Sequence, residues 1–262
     1  MHKKEVIFVV SKQVKRILII TCLVICLIPT FSIAALAAGD YSIEGSRWYQ
    51  SWIYAEEEMS VPNVVIIYLH GHGNSGSKLE HLERFTRVDH PLKYSREETL
   101  PLPDDTIMVC PQSLANGEFT YRQESISELV HTVKTMYPDA KIILAGHSSG
   151  SVATSVMAIH GNDEIDGYVF ISGINPGSPS DFDTIENCMI VFGNEQWLHQ
   201  RYEFKELYDE VNISNSEYSK VCTYLEEGRN NAYVRGPWGH GDAPKVFLED
   251  FFWEWVNNIS HN

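Results

Sequence analysis

The chain has 262 residues, enough for one large domain, and its 44% hydrophobic and 21% charged content excludes a disordered tail, a collagen-like rod and a coiled coil. Its formal charge is −15, from 20 basic and 35 acidic residues. A surface this acidic repels phosphate backbones, so nucleic acid is not an expected partner.

The N-terminus has the opposite sign. Residues 1–37 hold Lys3, Lys4, Lys12, Lys15 and Arg16 against Glu5 alone, which leaves the rest of the chain at −19. An apolar run from Ile17 to Pro29 follows, and then Ala35-Leu36-Ala37. In that order these features predict a secretory signal peptide over residues 1–37, cut near Ala37 or Ala38. The alternative is an uncleaved anchor, because Ile17 to Ala38 is long enough to span a bilayer. Pro29 and the small residues before Gly39 favour cleavage. Lipidation at Cys26 is disfavoured, because Leu23-Val24-Ile25 lacks the small residues it requires. The expectation is a secreted or cell-surface protein whose residues 38–262 form a single domain. The membrane is a partner only if the N-terminal segment stays uncut.

Cys22 and Cys26 lie in that segment. Beyond it only Cys110, Cys188 and Cys222 remain, so at most one bridge can form. No spacing resembles a zinc site. Cys110 and Cys188 sit in apolar runs and are expected in the core.

After the segment Arg47 to Glu56, expected as an edge strand, short apolar runs alternate with helical patterns. Val64–Leu69, Thr106–Cys110, Lys141–Ala145, Tyr168–Ser172 and Met189–Phe192 are rich in β-branched residues and predict buried strands, with a weaker one at Asn231–Val234. Between them Ile126, Leu129, Val130 and Val133 follow helical spacing that stops at Pro138. A second helix is predicted from Gly150 to Ile159, ended by Gly161. An aromatic helix around Phe247, Phe251 and Trp255 closes the chain. Strands alternating with helices predict an α/β fold, a mainly parallel sheet with helices on both faces. In such folds the residues just after each strand line the ligand crevice.

Gly146-His147-Ser148-Ser149-Gly150 follows one of these strands and precedes a helix. G-x-S-x-G is loose as a pattern, but a tight strand-to-helix turn presents a serine hydroxyl at the sheet edge, backed by a helix N-terminus that favours negative charge. An ordinary glycine-rich turn with a capping serine is the plain alternative. His70-Gly71-His72-Gly73-Asn74-Ser75-Gly76 follows the first buried strand. Its glycines also fit a dinucleotide fingerprint, but the region around Asp89 lacks the strand and acidic residue that reading needs. A metal site through His70 and His72 lacks further ligands close behind, and His70 alone fits a hydrogen-bonded structural histidine. His240 lies in Gly236-Pro237-Trp238-Gly239-His240-Gly241, late in the chain; His160 and His199 are weaker candidates for a base.

With these motifs in place, residues from about Val64 to Trp255 resemble the α/β-hydrolase family, in particular its small lidless secreted serine esterases. The resemblance implies that Ser148 is a nucleophile, that His240 is its general base, and that the backbone N–H groups of His72 and Ser149 form an oxyanion hole. It also implies a carboxylate that orients the histidine. The family's Gly-x-x-Asp is altered here to Gly193-Asn194-Glu195-Gln196, so Glu195 is the first candidate, with Asp181 and Asp183 as alternates. No cofactor and no metal is implied. Only 16 residues, Gly173 to Cys188, separate two strands where many lipases insert a cap, so no large cap domain is expected. The connection from Lys78 to Asp105, ending in Leu100-Pro101-Leu102-Pro103, is expected to form one wall of the pocket, and Cys110-Pro111-Gln112-Ser113 its rim. Trp197 and Trp238 are stacking candidates, although each on its own fits core packing better. The expected activity is serine hydrolysis of small or polymer-linked carboxylic esters through an acyl-enzyme. A peptidase, thioesterase or acyltransferase on the same fold is the alternative, as is a non-catalytic binding protein.

Overall fold

The structure, a computed structural model, describes residues 39–41, 47–54, 61–76, 89–173, 185–193, 222–225 and 230–260. Nine strands among them form one sheet: β1 (Gly39–Tyr41), β2 (Tyr49–Tyr54), β3 (Val64–Leu69), β4 (Thr106–Gln112), β5 (Lys141–His147), β6 (Gly167–Ile171), β7 (Cys188–Phe192), β8 (Cys222–Leu225) and β9 (Ala232–Arg235). Their spatial order is β1-β2-β4-β3-β5-β6-β7-β9-β8. The central six, from β4 to β9, run parallel; β1, β2 and β8 are antiparallel additions. The strand expected at Arg47 to Glu56 is therefore not the edge, because Gly39–Tyr41 pairs along its outer side. Cys222–Leu225 and Gly39–Tyr41 lack an extended apolar run, and the sequence did not announce either.

Why these segments form strands is visible in their burial. β3 and β4 are buried at every position, as a central parallel strand covered on both faces requires. Side chains then alternate between two cores. Val65, Ile67, Leu69, Ile142, Leu144 and Phe170 face one core, and Val64, Ile66, Tyr68, Ile143, Ala145 and Val169 face the other. Helices cover both. On the first face lie α2 (Gln123–Met136), through Ile126, Leu129, Val130 and Val133, and α3 (Ser149–His160), through Ala153 and Met157. On the second lie α1 (Pro91–Arg96), through Leu92, and α4 (Asp250–Ser260), through Phe252, Trp255, Val256 and Ile259. Among the described residues there is no cap domain.

The C-terminal helix differs in register from the expected one. Phe247 belongs to a 3-10 segment, His240–Leu248, that contains Pro244, and Glu249 is extended at φ −98°. The extended backbone at Glu249 separates the two segments, so the α-helix starts only at Asp250 and buries Phe252 rather than Phe251. Leu100 and Leu102, expected in a pocket wall, pack against the same core. Cys110 and Cys188 are buried in the two cores, as expected.

Asn231 joins β9 to β7. Its Oδ1 accepts from the Cys188 N–H at 3.0 Å and its Nδ2 donates to the Ile185 carbonyl at 3.2 Å, with the residue only 2% exposed. Asn231→Asp keeps the shape but sets a carboxylate against that carbonyl. The urea midpoint at pH 7 is expected to fall by the equivalent of about 2–4 kcal/mol with an unchanged slope.

Candidate active site

β3 sends its connection to β4 on one side, and β5 sends its connection to β6 on the other. The strand order reverses between β3 and β5, and a crevice opens at their C-terminal ends. The loop at 70–76 leaves β3 there, and the bend into α3 leaves β5 there.

Ser148 occupies the bend. It caps α3 with φ 53° and ψ −117°, a conformation that non-glycine residues seldom adopt and that costs on the order of 1–3 kcal/mol. Its N–H donates to the Ile171 carbonyl at 2.9 Å, which fastens the bend to the end of β6. The glycines around it are spatial necessities. A Cβ on Gly150 would lie 2.0 Å from the Leu69 carbonyl oxygen, and one on Gly146 would lie 2.4 Å from the Gly150 carbonyl carbon. So helix and strand touch backbone to backbone, and Ser148 is pushed out at the sheet edge.

His240 arrives from the far end of the sequence. β9 ends at Arg235, and Gly236 leaves room for the Trp238 ring, which a Cβ there would meet at 1.9 Å. Trp238 is 7% exposed and belongs to the second core, so it anchors the loop rather than lining an open surface. At the start of the 3-10 segment the His240 ring points to the bend, with Nε2 2.9 Å from the Ser148 Oγ. In the tautomer carrying its proton on Nδ1, Nε2 accepts from the hydroxyl, which is the arrangement a proton transfer needs.

The backbone of this loop is gripped twice. The Nε2–H of His147 donates to the His240 carbonyl at 2.7 Å. The Asp89 N–H donates to the Gly241 carbonyl, also at 2.7 Å. Asp89 is buried, its Oδ1 2.8 Å from the Lys93 ammonium and its Oδ2 3.6 Å from that of Lys245. Burial pushes the Asp89 carboxyl up, but the hydrogen bond from Lys93 and the charges of the two lysines hold it below the usual range. Lys245 thus ties the histidine-bearing segment to the chain just before α1.

The loop after β3 is stapled to the residues after β4. His70 is buried, donates from Nδ1 to the Gly71 carbonyl at 2.7 Å and accepts at Nε2 from the Ser113 N–H at 3.1 Å. Both ring nitrogens are engaged, as befits a structural histidine. Asn116 Oδ1 accepts from the Gly73 N–H at 3.1 Å and from the Ser75 hydroxyl at 2.6 Å. Glu118, only 2% exposed, in turn orders residues 114–117. Its carboxylate accepts from the Leu114 N–H at 2.6 Å and pairs with Arg47 at 2.6 Å. The loop lies hard against the bend, since a Cβ on Gly71 would come 2.9 Å from the Ser148 Cβ. His72, next along, is exposed.

The structure therefore brings Ser148 and His240 together, with Ser149 opening α3 and the loop carrying His72 beside the bend. Glu195, Asp181 and Asp183 lie outside the described residues, as do Trp197 and His199. His160 ends α3 and is exposed, its ring bonded to the Val156 carbonyl. The contributions of Asp89, Asn116 and Glu118, and the hold of His147 on the His240 carbonyl, are not legible in the sequence. Only His147 carried a signal, as a histidine set directly between a strand and the motif serine.

Residues 64–262 match the family model described as the alpha/beta hydrolase fold. The chain belongs to the alpha/beta hydrolase fold family. No curated protein matches it in sequence. Among solved structures it is similar to a thermostable esterase, at 14% identity and a TM-score of 0.54 over 84% of this chain and 62% of that one. The present chain thus spans less than two thirds of that esterase. It is also similar to an acetyl xylan esterase from Aspergillus awamori (13%, TM-score 0.52) and a dienelactone hydrolase from Anabaena variabilis (12%, TM-score 0.53), each over 84% of this chain and 98% of the other. At these identities the likeness is one of fold.

Three histidines beneath the site, His70, His90 and His147, are fully enclosed. Burial pushes each down, His70 to about 4 and His147 to about 3, with neighbouring imidazoles adding to the effect. In the unfolded chain they titrate near 6.5. Above that pH both states are neutral and stability is full. Below it the unfolded chain takes up protons that the folded one refuses. Urea unfolding as a function of pH should show stability falling from about pH 6.5 downward, by up to about 1.4 kcal/mol per pH unit for each histidine. The His70 share should level off near pH 4 and that of His147 near pH 3.

Proposed function

We propose that the protein is an exported serine hydrolase that cleaves carboxylic esters through an acyl-enzyme. The observation that carries this reading is the 2.9 Å contact between the Ser148 hydroxyl and His240 Nε2 at the switch point of the sheet. A free serine hydroxyl is a weak nucleophile and needs a base within hydrogen-bonding reach. In this reading Ser148 attacks the ester carbonyl while its proton passes to His240. The carbonyl becomes an oxyanion held by the N–H groups of His72 and Ser149. Ser149 opens α3, where backbone N–H groups lack intrahelical acceptors and the helix dipole favours negative charge. His240 then protonates the departing alcohol, and water, deprotonated by the same imidazole, releases the acid.

Glu195 is the proposed third member. Its carboxylate would hold the His240 ring by accepting from Nδ1 and would stabilise the imidazolium, with Asp181 and Asp183 as alternates. Export rests on the basic, apolar and small-residue order of residues 1–37. Ester substrates, small or exposed on a polymer, are supported by the short Gly173 to Cys188 connection and by the family, whose similar folds include proteins described as esterases.

A fluorophosphonate probe tests the reading. The wild type is expected to be labelled and Ser148→Ala not. Labelling of neither would favour a binding protein on this scaffold. On p-nitrophenyl esters of increasing chain length, Ser148→Ala and His240→Ala should each lower kcat by at least about a thousandfold, and Glu195→Gln by about a hundredfold or more. An unaffected Glu195→Gln would move the acid's role to Asp181 or Asp183.

A further inference from the structure

His147 is an imidazole at the site that the proposed reaction leaves unused. It ends β5, is 1% exposed, and pairs in register with Ile171 of β6. Its ring lies 5.0 Å from that of His240, tilted by 42°. Space for it comes from Gly71, where a Cβ would approach His147 Nδ1 to 3.0 Å. Nδ1 has no hydrogen-bond partner among the described residues, whereas the Nε2–H donates to the His240 carbonyl at 2.7 Å. A buried imidazole with one nitrogen unsatisfied is costly, and a leucine would fill the same space without that cost. What the histidine adds is the single bond to His240.

That bond closes a small ring of contacts. Ser148 meets the His240 side chain at 2.9 Å, and its immediate neighbour His147 holds the His240 backbone at 2.7 Å. Two consecutive residues at the rigid end of β5 thus grip one residue that arrives 92 positions later. Fixing the His240 carbonyl fixes its peptide plane, and with it the direction in which Cβ and the ring leave the chain. The next carbonyl, that of Gly241, is held separately by Asp89. Without the His147 bond the loop stays docked through Asp89 and Trp238, but the His240 peptide can turn.

The geometry points to His147 as a positioning residue: its Nε2–H sets the distance between His240 and the Ser148 hydroxyl by holding the His240 carbonyl. The inference rests on the serine hydrolase reading given above. It assigns His147 no proton transfer and no contact with substrate. Its effect therefore falls on the chemical step and not on substrate binding, because a displacement near 1 Å between base and nucleophile costs about a hundredfold in rate.

Two substitutions separate the bond from the volume it fills. His147→Leu keeps the bulk and removes the donor. His147→Gln places an amide N–H near the ε position. With p-nitrophenyl butyrate, His147→Leu is expected to lower kcat by about 10–100-fold with KM within about twofold, and to slow fluorophosphonate labelling in parallel. His147→Gln is expected to recover kcat to within about threefold of the wild type. Thermal melting confirms that each variant is folded. Should His147→Leu not fold, His147→Asn, whose amide stops short of the ε position, takes its place with the same expectation. A donorless variant with kcat within twofold of the wild type overturns the inference, as does a His147→Gln no better than it. If the wild type is labelled and Ser148→Ala is not, either of those results removes only the positioning role. A wild type that neither labels nor turns over removes the hydrolase reading, and this inference with it.

Discussion

The backbone at Ser148 is held in a conformation that its own side chain disfavours, and the rest of the site is arranged to keep it there. The helix after it lies so close to the strand before it that Gly146 has no space for a methyl group, and so close to the end of β3 that Gly150 has none. Gly71 and Gly173 close in from the neighbouring loops, the latter within 2.5 Å of the Ser148 carbonyl oxygen once a Cβ is added. The Ser148 N–H is tied to the end of β6, and the Ser151 hydroxyl donates to the Gly173 carbonyl. Strain of a few kcal/mol persists only where the surroundings over-determine the geometry, and here four segments do so.

Rigidity spreads outward from the bend through buried polar groups. His70 links the ends of β3 and β4, His147 links the bend to the His240 loop, and His90 caps α1, which sits beside the Asp89 ion pairs. Each imidazole is kept neutral by burial, so each has one donor and one acceptor in fixed places. A lysine or carboxylate in these positions would need a counter-charge; a neutral imidazole needs only a carbonyl and an N–H, and at His70 the loop ends supply both.

How much of this was legible in the sequence follows from which interactions are local. Central strands buried on both faces must be continuous apolar runs, so Val64–Leu69 and Cys188–Phe192 could be read to within a residue. The helix Gln123–Met136 announced itself by its apolar spacing and by Pro138. Gly39–Tyr41 and Cys222–Leu225 did not, because an outer strand is defined by the neighbour it pairs with and not by its own pattern. Ser148 was readable from a turn that needs glycines at fixed offsets, and His240 from its slot between the last strand and the last helix. The grip of Asp89 on Gly241, and of Asn116 on Gly73, spans residues far apart in the chain and passes through the backbone. Such contacts leave no mark on residue type, which is why the supporting residues went unread although the two at the centre did not.

The three segments that meet at the crevice lie near positions 70, 148 and 240, and the strand between the first two, β4, must already be in place beside β3. β3 pairs with β4 and β5 through residues that all precede position 148, whereas the histidine set against the serine comes 92 positions after it. The loop that delivers that histidine is seated by Trp238 and by the aromatic side of α4, which comes later still. The Ser148–His240 contact thus joins residues 92 positions apart, among the long-range contacts that slow the folding of such topologies.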